Sequence, residues 1–298
     1  MTGYLPRRQR QTTALPVRGL DYALHRWDGT SEGAPLLVML HGWMDVGASF
    51  QFLVDALPAH RTVVAPDWRG FGGSLGSAPV DAFWFPDYLG DLDALLRMLS
   101  PDRPVDLLGH SMGANVAMVY AGVRPDRVRR LVALEGFGMP PTTPAQAPGR
   151  YARWLDELAA PVPWKSYESL DAVAERLRRT NPRLREDRAQ WLAAAWAAPG
   201  DDGRWHLQAD AAHRRVNPVL YRAEEADACW RAITAPTLWV EGAQTEVLRG
   251  HGPDARSRFD ARLALVPDLR RAVLDDCGHM LHHDQPEALA ALIADFLT

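Results

Sequence analysis

The sequence predicts an α/β protein: a mostly parallel sheet buried between helices, with a long helical segment inserted between two of its strands. Three observations carry this. Short apolar runs, suited to strands buried on both faces, recur along the chain. Segments with apolar residues at helical spacing separate them, so the strands need crossover connections. The alternation then stops between Phe137 and Asp227 and resumes afterwards.

The elements follow in order. Residues 1–19 read as a polar arm, and Tyr22 to Trp27 alternates as an early strand. Leu36–Leu40, Thr62–Ala65, Val105–Leu108, Arg130–Leu134, Thr237–Val240 and Arg271–Leu274 are the buried runs, each ending close to a turn residue or an acid. Leu89, Leu92, Leu95, Leu96 and Leu99 mark one helix face between Tyr88 and Leu99. Ala114–Ala121 is a second helix, and Glu287–Leu297 a third, with Pro286 in a first-turn position that tolerates proline. The interrupting stretch opens with Met139-Pro140-Pro141-Thr142-Thr143-Pro144 and continues with helical pieces that contain Trp154, Trp164, Trp191, Trp196 and Trp205. It reads as a helical cap.

The chain has 298 residues, 47% of them hydrophobic and 23% charged, which is a folded globular composition rather than a disordered one. The formal net charge of −4 argues against a nucleic-acid partner. Lys165 is the only lysine, so arginine carries nearly all the positive charge. Two cysteines, Cys229 and Cys277, make neither a disulfide framework nor a four-thiolate zinc site. No apolar stretch follows Arg7-Arg8, so neither a secretory nor a twin-arginine signal is expected. No run approaches the ~20 apolar residues of a membrane span. A cytoplasmic protein is the expectation.

Gly109-His110-Ser111-Met112-Gly113 fits G-x-S-x-G between a buried run and an alanine-rich helix. In that context the glycines let two backbones approach, and the serine hydroxyl is pushed into the open at a helix N-terminus. Ser111 is the candidate nucleophile. Its candidate base is His279, which follows the last buried run as Gly278-His279 and so lies at the sheet edge where Ser111 also emerges. His282 and His283 invite a metal reading with His279, but no further ligand cluster accompanies them, and no metal is expected. The oxyanion donors are expected to be the backbone amides of Met112, directly after the nucleophile, and of Trp43, in the loop after Leu36–Leu40. The His41 side chain reads as a structural hydrogen-bonding group. Asp67-Trp68-Arg69-Gly70-Phe71-Gly72 lacks both G-x-G-x-x-G and the phosphate-loop lysine, so it reads as a structural turn. Asp275-Asp276 reads as a solvated strand end and Cys277 as a packed thiol.

On HGW at 41–43, DWRGFGGS at 67–74, GHSMG at 109–113 and GH at 278–279, the chain resembles the α/β-hydrolase superfamily over nearly its whole length. HGWMDVGASF, GHSMGANVAM and LVALEGFG make it similar to the serine hydrolase-like group. The resemblance implies an eight-stranded, mostly parallel sheet flanked by helices, an inserted helical cap and a Ser–His–acid triad. Many members carry the acid as an aspartate three residues beyond the glycine that ends the penultimate strand. Here that glycine is Gly242, and the position holds Thr245, whose hydroxyl carries no charge. Glu135, directly after the preceding sheet strand, occupies a second location used by some members and is the expected acid. Glu246, beside the vacant position, is the alternative.

The expected organisation is a hydrolase core of residues 1–136 and 228–298 with a cap over 137–227. The expected activity is cleavage of small, partly apolar carboxylic esters through an acyl-enzyme, without a cofactor. The alternatives are a lactonase, amidase or perhydrolase on the same triad, or a non-catalytic binding protein that would typically lack the serine or histidine. Dehalogenase and epoxide-hydrolase chemistry on this fold uses an aspartate nucleophile, and Ser111 argues against both.

Overall fold

The computed structural model describes residues 3–76, 80–160, 162 and 164–298; Pro161 and Pro163 of the expected cap lie outside them. Its framework is an eight-stranded sheet. The strands are β1 (Gln11–Val17), β2 (Leu20–Trp27), β3 (Leu37–Leu40), β4 (Val63–Pro66), β5 (Val105–His110), β6 (Val128–Leu134), and, past a long insertion, two more that close the sheet. Every apolar run read from the sequence coincides with one of these strands, with Leu36 and Thr62 falling one residue outside. The polar arm is different, because residues 11–17 of it form β1, a largely exposed edge strand paired antiparallel with β2. An edge strand so exposed needs no apolar alternation, and Pro16 is tolerated there.

Within the insertion lie α4 (Ala147–Ala159), β7 (Ser166–Tyr167), α5 (Leu170–Thr180), α6 (Glu186–Trp196), β8 (Ala197–Pro199) and β9 (Trp205–Leu207). The last three strands form a small antiparallel sheet in the order β7-β9-β8. Strands of two or three residues are too short to leave a periodic trace in sequence. After α7 (Ala223–Arg231) come β10 (Thr237–Gly242), α8 (Ala255–Leu263), β11 (Leu269–Leu274), α9 (Leu281–Asp284) and α10 (Pro286–Leu297). Earlier in the chain are α1 (Gln51–Ala56), α2 (Phe85–Leu99) and α3 (Met112–Val123). The large sheet runs β1-β2-β4-β3-β5-β6-β10-β11, antiparallel at β1–β2 and β2–β4 and parallel from β4 onward.

Alternate strand residues feed two separate cores, which is why the runs are apolar throughout. Leu107, Leu131, Ala133 and Trp239 pack towards α2, α3, α7 and α8. Leu108, Val132, Leu134 and Val240 pack towards α1 and α10. The helix α7 crosses the expected 227/228 boundary and delivers Trp230 to the first of these cores. The insertion has a core of its own, built on Val173, Leu177, Leu184, Leu192 and Ala193, with Phe52 of α1 completing it. No helix among the described residues is long and apolar enough to cross a membrane.

The insertion is clasped to the main sheet at residues 70–72. Gly72 N–H donates to Gln208 O (2.7 Å), and Asp210 N–H donates to Gly70 O (2.8 Å). The His213 ring stacks between Phe71 and Phe83, with centroids 3.8 and 3.7 Å away. Burial there pushes the His213 pKa down to about 3. The folded chain therefore keeps this ring neutral, whereas the unfolded chain protonates it below its ordinary value near 6.5. Stability from this group is complete above pH ~6.5 and declines as pH falls towards 3, by roughly 2 kcal/mol at pH 5. Burial lowers His41, His110 and His283 in the same direction. Thermal melts are expected to show a Tm that is flat from pH 8 to 7 and falls steadily to pH 5, with a shallower fall for His213→Gln. A Tm that holds or rises on acidification would contradict this.

Candidate active site

The strand β5 ends at His110 and α3 begins at Met112, leaving Ser111 alone in the turn with φ 52° and ψ −114°. Such a backbone strains a non-glycine residue, and the surroundings hold it. Ser111 N–H donates to Leu134 O (2.8 Å). The flanking glycines are required by proximity. A Cβ on Gly113 would lie 2.1 Å from Leu40 O, and one on Gly109 would lie 2.4 Å from Gly113 O.

The loop after β11 carries His279 to this turn. His279 Nε2 lies 3.0 Å from Ser111 Oγ, and its Nδ1 lies 3.0 Å from Glu135 Oε2. The carboxylate fixes the tautomer: Nδ1 carries the proton, which leaves Nε2 as acceptor for the serine hydroxyl. His110 Nε2–H donates to His279 O (2.8 Å) and anchors the loop from below. Glu135 follows β6 with φ 56° and is 1% exposed. Its Oε1 accepts from Gly242 N–H (2.8 Å), and its Oε2 accepts from the Thr245 hydroxyl (2.5 Å). Thr245, at the vacant acid position, thus donates to the Glu135 carboxylate. Glu246 is not brought to the site; it is exposed and paired with Arg249 at 2.6 Å.

Trp43 and Gly42 line the same cavity as Ser111, and a Cβ on Gly42 would lie 3.2 Å from Ser111 Cβ. Met112 opens α3, where a backbone amide has no partner within the helix. His41 is a structural group: Nδ1–H donates to Gly42 O (2.7 Å), and Nε2 accepts from Trp68 N–H (2.8 Å). The 67–72 turn is structural too, since Asp67 accepts from Gly47 N–H (2.7 Å) and Gly73 N–H (2.9 Å). Asp275 and Asp276 are exposed. Cys277 is buried, which pushes its thiol up to about 12 and leaves it inert.

The cavity above Ser111 measures about 480 Å³, within the usual range for small-molecule sites. Apolar side chains from the insertion, Leu177, Leu192 and Trp196 among them, face Ser111 and His279 across it. Three cations also line it, Lys165, Arg176 and Arg214. Nothing local in the sequence marks the two arginines among the many others, and Lys165 stands out there only as the single lysine. Among the described residues, one group has metal-ligand character: Asp45, His282 and His283, with ligand atoms within 4.8 Å of one another. It contains two of the histidines considered in the sequence, but not His279.

A strand-to-helix serine facing a histidine and a buried acid on an eight-stranded sheet defines a class of hydrolases. The family model for the alpha/beta hydrolase fold matches residues 35–286, and the chain belongs to that family. It is a hydrolase with serine hydrolase-like relatives. The 3-hydroxybutyrate-oligomer hydrolase of Cupriavidus necator is 33% identical over 236 residues, covering 76% of this chain and 78% of the relative. A serine hydrolase-like protein of Danio rerio is 27% identical over 298 residues, covering 98% and 89%. The solved thioesterase domain from the curacin biosynthetic pathway superimposes with a TM-score of 0.84 at 27% identity, covering 96% of this chain and 99% of that domain.

The close approach at Gly113 has a direct consequence. Gly113→Ala drives a methyl group into backbone rather than into a side chain that can move, so stability should fall by about 3 kcal/mol or more. Gly149, with nothing within 4 Å of its Cβ position, should accept alanine without loss. Urea unfolding of the two variants measures the difference, and equal midpoints would contradict it.

Proposed function

We propose that this chain is a serine hydrolase of carboxylic esters, with Ser111 as nucleophile, His279 as general base and Glu135 as the acid. The observation that carries the reading is the unbroken chain Ser111 Oγ, His279 Nε2, His279 Nδ1, Glu135 Oε2, with both hydrogen-bond distances at 3.0 Å. Ser111 Oγ attacks the acyl carbon as its proton passes to His279 Nε2. Glu135 compensates the resulting imidazolium, and the amides of Met112 and Trp43 receive the oxyanion. The imidazolium then protonates the leaving alcohol. Water, deprotonated by the same ring, releases the acyl group from Ser111. Residues 137–227 act as the cap that roofs this chemistry, and the protein is read as cytoplasmic and independent of any cofactor.

A fluorophosphonate probe is expected to add to Ser111, read by intact mass, and Ser111→Ala should lose ~10⁴-fold in ester turnover. Glu135→Gln should lose ~10²–10⁴-fold in kcat with an unchanged circular-dichroism spectrum, and Glu246→Gln less than ~10-fold. Absence of an adduct on the folded protein would overturn the enzyme reading. The reverse ranking of the two glutamate variants would move the acid.

The cavity lining also points to the kind of ester. Its walls are largely apolar, yet Lys165, Arg176 and Arg214 face it against one carboxylate, Asp45. Lys165 and Arg176 take part in none of the ion pairs among the described residues. This favours an ester that also bears a carboxylate. The 3-hydroxybutyrate oligomers for which the Cupriavidus relative is named are hydroxy-acid esters of that kind. The monomethyl ester of a short dicarboxylic acid should be turned over with a kcat/KM ~10-fold above its dimethyl ester, as two exposed charge contacts of up to ~1 kcal/mol each allow. The preference should shrink towards unity in the double variant Lys165→Gln, Arg176→Gln and in high salt. Equal rates for the two esters in low salt would remove the anionic preference while leaving the hydrolase reading intact.

A further inference from the structure

At the floor of the cavity lies a cluster of titratable groups that the proposed chemistry does not use. Asp45 sits in the loop after β3, and His282 and His283 sit on α9. Their exposures are 3%, 0% and 3%. Groups so buried normally have hydrogen-bond partners, yet Asp45 Oδ2, both ring nitrogens of His282 and Nε2 of His283 have none. The nearest approach, Asp45 Oδ2 to His282 Nε2, is 3.7 Å, too long for a hydrogen bond. We propose that Asp45, His282 and His283 form a binding site for a divalent transition-metal cation of the zinc type.

The ligand atoms are already oriented for it. Asp45 Oδ1 accepts from Val46 N–H (2.8 Å), which leaves Oδ2 turned towards the histidines. The backbone of Ser49 engages the His283 ring, and Nε2 keeps its lone pair free. A ligating histidine held through its other nitrogen is the usual outer-shell arrangement of metal sites.

Distances and access agree. A tetrahedral cation with bonds of ~2.0–2.2 Å sets its ligand atoms roughly 3.3–3.6 Å apart. Here 3.7 Å is observed for one pair and all atoms lie within 4.8 Å, so a contraction of at most roughly 1.2–1.5 Å in the widest pair closes the set. Two imidazoles and one carboxylate select zinc, copper, nickel or cobalt over magnesium or calcium, which prefer oxygen throughout. Asp45 and His283 both line the cavity, so a hydrated ion reaches them through the same opening as a substrate. His110 lies between this cluster and His279, its ring 4.6 Å from His282 and 4.7 Å from His279.

Equilibrium dialysis of the untagged chain against zinc chloride, with bound zinc measured after gel filtration, tests this without any ester assay. A single zinc per chain is expected. Asp45→Asn and His282→Gln should each weaken it by more than ~100-fold, beyond the ~10–100-fold that loss of an outer-shell partner costs, while His279→Ala and His206→Ala should retain it. Zinc-edge X-ray absorption on the wild-type chain needs no variant and should show two imidazoles in an all nitrogen and oxygen shell. Failure of the wild type to hold zinc overturns the proposal. Binding that survives both ligand substitutions, or that disappears in His279→Ala, also overturns it by moving the ion to another place.

Discussion

The carboxylate of Glu135 is buried almost completely and meets three segments of chain at once. It accepts from Gly242 at the end of β10, from Thr245 in the loop beyond it and from His279 in the loop after β11. A buried charge without partners is expelled at a penalty of several kcal/mol, so these three donors are a condition of the fold as well as of the site. The left-handed backbone of Glu135 costs on the order of 1–2 kcal/mol, and the bond from its own N–H to Val240 O helps to hold it. Remove the carboxylate and the loops after β6, β10 and β11 lose their common reference. The ring of His279 then loses the contact that sets both its tautomer and its aim at Ser111.

Ser111 and His279 were legible because their signals are local. One lies in a pentapeptide whose glycines answer to backbone collisions at Leu40 and Ala114, and the other follows a strand at a fixed edge of the sheet. Glu135 was legible for the same reason, as the first residue beyond an apolar run, but choosing it over Glu246 needed the resemblance. The structure adds that Glu246 points into solvent and pairs with Arg249. The rest was hidden for identifiable reasons. β1 is exposed over most of its length and leaves no clear apolar pattern, and the strands of the insertion are two or three residues long. The proximity of Asp45 to His282 brings together residues from opposite ends of the sequence, and no periodicity records such an approach.

The serine thus lies between two layers of contrasting character. Above it the insertion supplies apolar surface with cations among it, and below it lie the buried rings of His110, His282 and His283. Low dielectric strengthens every charge interaction across such a layer. The proposed imidazolium at His279 would form next to His110, which burial keeps neutral, so no like charge opposes it from that side. The clasp at residues 70–72 holds the upper layer in place through backbone hydrogen bonds and the stacked ring of His213.

Lys165 gives the molecule an unusual chemical handle. It is the single lysine of the chain, it is exposed, and it stands at the mouth of the cavity. Reagents selective for ε-amines therefore address one side chain in 298 residues. A fluorophore attached there reports on traffic through the entrance without a cysteine being engineered. Tethering the protein to a surface through the same amine sets the opening against the support, so an immobilised preparation that must stay accessible needs an attachment chemistry directed elsewhere.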